Sequence, residues 1–316
     1  MTHTVATARD THNVIEIPGP WQHRYVAANG ARFHVAESVP AGVADPPLVV
    51  LLHGFPEFWW AWRDQLPALA ATGFRTAAMD LRGYGGSDKT PRGYDPVTLA
   101  QDVAGVVKAL GERSAVVVGH GWGGYVGWAA AALHPREVSA FCAVSAPHPR
   151  DMLRSLRPGR AGALAHVLAM QVPRLPERRL ANPGSGFLGR HLREWSAPGS
   201  AFPDAATVET YQDALKLWPA PHCALEYHRW LLRSRLRADG RRFNHLMERP
   251  VLQPVCLVDG AEDPALPART SSPSPARVRG PLHTRVLAGA GHFPHEERPA
   301  EFTDVLLDWL GGLDAG

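Results

Sequence analysis

The sequence predicts an α/β fold: a mostly parallel central sheet with helices on both faces, and a helical segment inserted between the sixth and seventh strands. Three observations predict it. Between about residues 48 and 149, short apolar runs alternate with helical patterns, which is the rhythm of right-handed strand–helix–strand units. PPLVVLLHG is a near-continuous apolar run, as a strand covered on both faces requires. From about residue 150 to 248 the strand runs stop and only helical patterns remain.

Each element follows from local pattern. Residues 1–18 lack periodicity and read as a loose tail. WQHRYVAANGARFHVAES alternates apolar and polar about Asn29-Gly30, a two-residue hairpin signal. PLVVLLHG and FRTAAMD read as strands, and EFWWAWRDQLPALAATG between them as one helix ending at Gly73. Asp95 caps the helix DPVTLAQDVAGVVKALG and Gly111 closes it. SAVVVGH is a strand, WGGYVGWAAAALHP a helix stopped by Pro135, and VSAFCAVSAP the sixth strand. The helical stretch contains RAGALAHVLAM, GFLGRHLREW, DAATVETYQDALKL, HCALEYHRWLLRSRLR and DGRRFNHLMER. VLQPVCLVDG and LHTRVLAGAG restore the strand pattern, with the irregular LPARTSSPSPAR between them, and PAEFTDVLLDWLGGL closes with a helix. The expected divisions are a first core part at 1–149, a helical cap at 150–248 and a second core part at 249–316.

Composition narrows the function classes. The chain has 316 residues, 45% hydrophobic and 20% charged, with a net charge of +3; this is ordinary for a soluble globular protein. No basic cluster interleaved with aromatics suggests nucleic acid. The run from Arg229 to Arg242 holds six arginines and reads as a solvated face. Cys142, Cys223 and Cys256 have neither metal-ligand nor disulfide spacing and read as small buried hydrophobes. MTHTVATARDTHNV is polar, without the apolar stretch of a secretory signal, and no apolar run approaches the ~18 residues of a membrane span. A cytoplasmic monomer or homodimer acting on a small molecule is expected, with no cofactor, metal, nucleic acid or membrane partner.

The chemistry centres on VVVGHGWGGYVGW, residues 116–128. A strand, a sharp glycine turn and a helix form the setting of a nucleophile elbow, which holds a reactive side chain at the middle of G-x-X-x-G. Here that position is Gly121, which has no side chain. Downstream, Asp263 and His292 each follow a strand. Elbow, acid, histidine is the chain order of a catalytic triad, in which the acid orients the histidine and the histidine moves protons. Asp259 and Glu262 compete with Asp263 for the acid role. The turn at His53-Gly54-Phe55-Pro56 supplies main-chain N–H groups that, with the N–H of Trp122, would form an oxyanion hole at Phe55 and Trp122. The substrate pocket is expected to include His53, Pro56, His120, Tyr227 and His228. Phe55, Phe58, Trp59, Trp60 and Trp62 divide between pocket and core.

These stretches, HGFPEFWWAWRDQLPAL, DLRGYGGSDKT, GHGWGGYVGW, SAPHP, LVDGAEDPALP and GAGHFPHEERPAEF, resemble α/β-hydrolases of the epoxide-hydrolase and haloalkane-dehalogenase branch. The likeness spans about residues 20–314 and is weaker in the cap, at MQVPRLPE and ALEYHRWLLR. It implies the α/β-hydrolase fold. In that family the elbow reads G-H-D-W-G-G; its Asp forms an ester with substrate, the His–Asp pair hydrolyses the ester, and two cap tyrosines protonate the epoxide oxygen. This chain departs at all three positions. Gly121 replaces the nucleophile. His228 stands at one tyrosine position, with Tyr227 one residue early and so turned by ~100° on a helix. Near the other, His166 and Ala169 occur and no tyrosine does.

Removing a nucleophile costs on the order of a millionfold in a protease, so covalent epoxide opening or dehalogenation is not expected. Ser145 and Cys142 are alternative nucleophiles on paper, though packing or hydrogen bonding accounts for both. The leading expectation is a hydrolase that attacks its substrate directly with a water activated by His292 and Asp263, with His228 or Tyr227 as acid. A non-hydrolytic biosynthetic enzyme on the same fold, or a binding protein that holds a small molecule without turnover, is the alternative.

Overall fold

Eight strands form one sheet in the order β1-β2-β4-β3-β5-β6-β7-β8. The structure is a computed structural model and describes residues 14–155, 161–266 and 277–313. β1 (Gln22–Ala28) and β2 (Ala31–Ser38) make the expected hairpin, Gln22 opposite Glu37 and Ala28 opposite Ala31. Asn29 and Gly30 both have positive φ, 45° and 72°, which matches the right-handed strand twist. β2 joins β4 (Arg75–Met79) antiparallel. Pairing from β4 through β3 (Leu48–Leu52), β5 (Ala115–His120), β6 (Val138–Val144), β7 (Val255–Gly260) and β8 (Leu282–Leu287) is parallel throughout. Every residue of β3, β5 and β7 is buried, including the polar His120 and Asp259 at the carboxyl ends of β5 and β7.

Helices cover both faces. Pro96–Ala109 packs beside Gly121–Leu133, while Gln65–Ala71 packs beside Pro299–Leu313. Asp95 caps its helix as expected, accepting the Thr98 N–H at 3.0 Å. The helical stretches lie between β6 and β7, each expected pattern containing a helix: Ala161–Ala169, Phe187–Trp195, Ala205–Lys216, Ala220–Arg233 and Ala238–Leu246. Pro149–Ser155 and Leu175–Ala181 are two further short helices.

Two expectations need correction. The stretch read as one helix before Gly73 is a 3-10 turn at Trp59–Trp62 and a separate helix, Gln65–Ala71. Pro67 lacks an N–H and fits only a first turn, so the helix has to restart just before it. The tail is anchored from Val14: Ile15 is fully buried and its carbonyl accepts the Trp59 indole N–H at 2.8 Å. Residues 1–13 lie outside the described residues, as does most of LPARTSSPSPAR, at 267–276. The three cysteines are buried and free. Among the described residues no helix is long and apolar enough to cross a membrane.

Asp80, at the end of β4, holds the carboxyl edge of the sheet together. Its fully buried carboxylate accepts the main-chain N–H of Trp59 and Gly86, each at 2.8 Å, and pairs with His34 Nδ1 at 2.8 Å. Burial opposes its charge, but the His34 hydrogen bond and the other donors outweigh it and lower its pKa. Asp80→Ala strands these donors in the interior, so it should cost about 3–5 kcal/mol, read as a lower denaturation midpoint in guanidinium.

Candidate active site

The turn between β5 and the helix Gly121–Leu133 is dictated by close approach. A Cβ at Gly119 would lie 2.5 Å from the Gly123 carbonyl oxygen, one at Gly123 2.3 Å from that of Leu52, and one at Gly124 2.3 Å from the Ala146 side chain. Those three positions admit only glycine. Gly121 differs. A Cβ there meets nothing closer than 3.7 Å, from the Gly54 Cα and from His292 Nε2. Its φ of +52° is left-handed, which disfavours most side chains, though Asp and Asn tolerate that region better than most. Packing therefore does not require a glycine at 121.

His292 and Asp263 come together. His292 Nδ1 lies 2.8 Å from Asp263 Oδ2, and both residues are buried. The other carboxylate oxygen, Oδ1, accepts the N–H groups of Ala265 at 2.7 Å and Leu266 at 2.8 Å. Asp263 can only accept, so His292 donates from Nδ1 and presents Nε2 toward the space beside Gly121. Asp263, rather than Asp259 or Glu262, thus faces the histidine.

The loop carrying His292 is braced from three sides. Glu297 accepts the N–H groups flanking it, from Gly291 at 3.0 Å and Phe293 at 3.1 Å, and that of Ala197 in the insertion at 2.7 Å. The His292 N–H donates to the Trp195 carbonyl at 2.8 Å, and the Trp195 ring stands at 89° to the imidazole, 4.9 Å between centroids. From below, His120 Nε2 lies 2.9 Å from the His292 carbonyl oxygen and His120 Nδ1 2.8 Å from Glu57 Oε2. Both neighbours only accept, so His120 donates from both nitrogens and is an imidazolium paired with the Glu57 carboxylate. Burial works against this charge on His120, but Glu57 outweighs it and raises the pKa. The sequence signal for Glu297 is a carboxylate five residues after His292 in GHFPHEE; nothing in the sequence marked its role.

A cavity of about 60 Å³ opens beside Gly121 at the carboxyl ends of the strands. One water needs roughly 10–15 Å³ of such space, so it takes a few heavy atoms. Phe55, Trp122, Ser145, His228 and His292 border it from the core side and along the helix Ala220–Arg233, and Met152, His166, Val167 and Trp195 contribute from the other inserted helices. Trp122 is in the first turn of its helix, where main-chain N–H groups have no intrahelical partner, and His120 offers no side-chain cap there. Of the aromatic cluster, Phe55 borders the cavity, while Phe58, Trp59 and Trp62 are fully buried core.

Four expected pocket residues point elsewhere. His53 is committed to the main chain, with Nδ1 2.8 Å from the Gly54 carbonyl and Nε2 accepting the Leu81 N–H at 3.0 Å. Pro56 is buried outside the lining, and His120 is spent on Glu57 and His292. The Tyr227 hydroxyl donates to the Arg82 carbonyl at 2.8 Å, consistent with the offset of one position. His228 does border the cavity, but not as an acid. Its Nδ1 faces the Ala224 carbonyl at 3.3 Å, so Nδ1 carries the hydrogen, and Nε2 accepts the Trp122 indole N–H at 3.1 Å. Burial, then the neighbouring His166, lower its pKa well below the usual histidine range. His166 Nε2 approaches the same acceptor at 3.3 Å and must be the donor. Burial and His292 lower its pKa to about 4.

A sequence profile for the alpha/beta hydrolase fold matches residues 47–299. The chain belongs to the α/β-hydrolase family. Epoxide hydrolases are among its homologues. Epoxide hydrolase A of Mycobacterium tuberculosis is 31% identical over 317 residues, covering 92% of this chain and 98% of that one. The AB hydrolase superfamily protein YfhM of Bacillus subtilis is 32% identical over 294 residues, covering 91% and 97%. The crystal structure of epoxide hydrolase A from Mycobacterium thermoresistibile superposes with a TM-score of 0.78 at 28% identity, covering 93% of this chain and 99% of that one.

Two predictions follow for this α/β-hydrolase site. Glu297→Ala removes three main-chain hydrogen bonds to a carboxylate, so it should lower stability by about 3 kcal/mol and loosen the His292 loop, read as faster amide exchange at Gly291 and Phe293. His295 is fully buried against Trp62, and burial followed by His120 lowers its pKa to about 4. An unfolded histidine takes up a proton near 6.5, which the folded one refuses until about 4, so stability is lost as pH falls through that window. His295→Phe should reduce that acid loss by about 3 kcal/mol, measured as denaturant midpoints at pH 7 and pH 4.

Proposed function

We propose that this protein is a hydrolase of a small, largely apolar ester, lactone or epoxide, and that it works without a covalent intermediate. His292, oriented by Asp263, deprotonates a water beside Gly121, and that water attacks the substrate held under the inserted helices, which act as a cap. The observation that carries the reading is the pairing of an intact Asp263–His292 dyad with room at an elbow apex that packing does not require to be glycine. The N–H groups of Phe55 and Trp122 are the candidate donors to developing negative charge. On the cap side, His166 Nε2–H and Trp122 Nε1–H converge on one acceptor, His228 Nε2. A substrate oxygen that displaced His228 Nε2 from the His166 N–H would receive that donor, so His166 replaces His228 and Tyr227 as the candidate electrophile. It acts as a neutral N–H donor.

One observation favours the second reading, a small-molecule binder without turnover. The imidazoles lining the cap side are held neutral by burial, which leaves no cationic acid there.

The test is turnover on ester and epoxide panels by the parent and by His292→Ala. Loss of a general base should reduce kcat on the order of 10²–10⁴-fold. Activity that survives in the variant sinks the water-activation reading, and tight binding without turnover in the folded parent supports the binder.

A further inference from the structure

Tyr125 stands in the helix Gly121–Leu133, about one turn beyond the elbow apex. Helical side chains lean toward the N-terminus of their helix, so its ring leans back to the elbow end and meets Trp122 edge-on, 5.5 Å between centroids. The Phe243 ring lies against it at 6.1 Å. A phenylalanine would make both contacts equally well. They account for the ring and leave the hydroxyl unexplained.

That hydroxyl makes no hydrogen bond among the described residues, yet its oxygen is not sealed in by its neighbours. Tyr125 is 4% exposed and borders the cavity beside Gly121, so the free surface of its hydroxyl faces that cavity. The other polar groups of the lining differ. Ser145 Oγ also has no partner, but it is closed off from the cavity, on a residue at φ +46° whose N–H donates to the Val258 carbonyl. The Trp195 indole N–H is unpaired, but Trp195 is partly exposed and water can serve it. The N–H groups of Trp122 and His166 are spent on His228. His292 Nε2 is an acceptor. Tyr125 is thus the buried donor of the lining with a bond to give. Burial pushes its phenol well up, with no charged neighbour contributing, so it stays protonated and donates.

Much of the surrounding wall is apolar, including Phe55, Ala146, Met152, Val167 and Leu266. In such a pocket a few placed polar groups fix how a ligand lies. An oxygen on the ligand that accepts the Tyr125 hydroxyl pairs that donor in a water-poor space, whereas a hydrocarbon leaves it stranded.

We propose that Tyr125 anchors the ligand of this cavity: its hydroxyl donates to the carbonyl, ether or epoxide oxygen of a neutral, otherwise apolar molecule of about six heavy atoms or fewer, and so selects oxygen-bearing molecules over hydrocarbons of the same shape. The anchor comes from the core helix rather than from the cap. It has no existing bond to give up, whereas His166 must first release His228. The anchor stands on the cavity alone; on the hydrolytic reading the anchored molecule is the substrate.

The probes are cyclopentanone and methylenecyclopentane, in which a CH2 group replaces the oxygen. Neither is an ester or an epoxide, so binding is measured apart from turnover. Each is titrated into the full chain and followed by the indole N–H resonances of Trp122 and Trp195, which border the cavity. The parent should bind both. Tyr125→Phe should weaken cyclopentanone about fivefold, the value of one hydrogen bond, and leave methylenecyclopentane as tight or tighter. Its melting temperature should be unchanged or raised, because a hydroxyl without an internal partner is removed. A parent that binds neither compound, or a variant that weakens neither or both equally, overturns the proposal. So does a melting temperature lowered by about 2 °C or more, the mark of a hydroxyl bonded within the protein. Cyclopentanone binding that survives in Tyr125→Phe and is lost in His166→Phe assigns the anchor to the cap and also overturns it. Selective loss in Tyr125→Phe, in a parent that turns over no ester or epoxide, supports the anchor and removes the hydrolytic reading.

Discussion

The close approach of β5, its following helix and the neighbouring strand ends is the constraint on which the rest of the site depends. Gly119, Gly123 and Gly124 let backbone touch backbone, with no room for a methyl group. That contact lifts residue 121 into a left-handed turn facing His292. It also presents the first-turn N–H groups of a 13-residue helix to the same space. Sterics thus divide the glycines of GHGWGG into two kinds. Three are demanded by packing and one is not. The residue without a packing reason is the elbow apex, which on the proposed reading leaves room for a water. At 121 it is the left-handed φ of +52°, not a close contact, that favours glycine.

The second constraint is rigidity of the histidine. His292 is held by Asp263 through its ring, by Glu297 through both neighbouring N–H groups, by Trp195 through its own N–H, and by the His120–Glu57 ion pair through its carbonyl. Glu297 also reaches Ala197, so core and insertion share one carboxylate. A buried charge pair is a poor source of net stability, because desolvation offsets its attraction. Its presence directly beneath His292 is better explained by positioning, since replacing it would free the carbonyl to which His120 is bonded. On the proposed reading, this bracing keeps His292 Nε2 aimed at the water beside Gly121.

Fold and dyad were legible in the sequence for different reasons. Strands covered on both faces are apolar along most of their length, so β3, β5 and β7 announce themselves, with the polar residues His120 and Asp259 confined to the carboxyl ends of β5 and β7, and Asn29-Gly30 and Asp95 carry recognisable turn and cap chemistry. Asp263 and His292 are found by order after strands. The pocket was much less legible. His53, Pro56, His120 and Tyr227 lie in or beside the right motifs, yet sequence does not say which way a side chain turns. His53, His120 and Tyr227 were drawn away by main-chain or carboxylate partners distant in sequence, such as Leu81, Glu57 and Arg82. Met152, Val167 and Trp195 reach the cavity from inserted helices whose downward face is set by tertiary packing alone. Ser145 was visible as a candidate, but its unpaired hydroxyl and strained φ exist only in three dimensions.

On the reading proposed above, Gly121, His166 and His228 form one electrostatic arrangement. A carboxylate at 121 would place a negative charge within reach of His292 and of the cap donors. With glycine there, the cavity has no anion of its own, and burial keeps His166 and His228 neutral, held in a donor–acceptor pair rather than as charges. Neutral imidazoles suit a site in which charge arrives with the ligand or develops only during reaction, because a preorganised N–H costs no reorganisation at that moment.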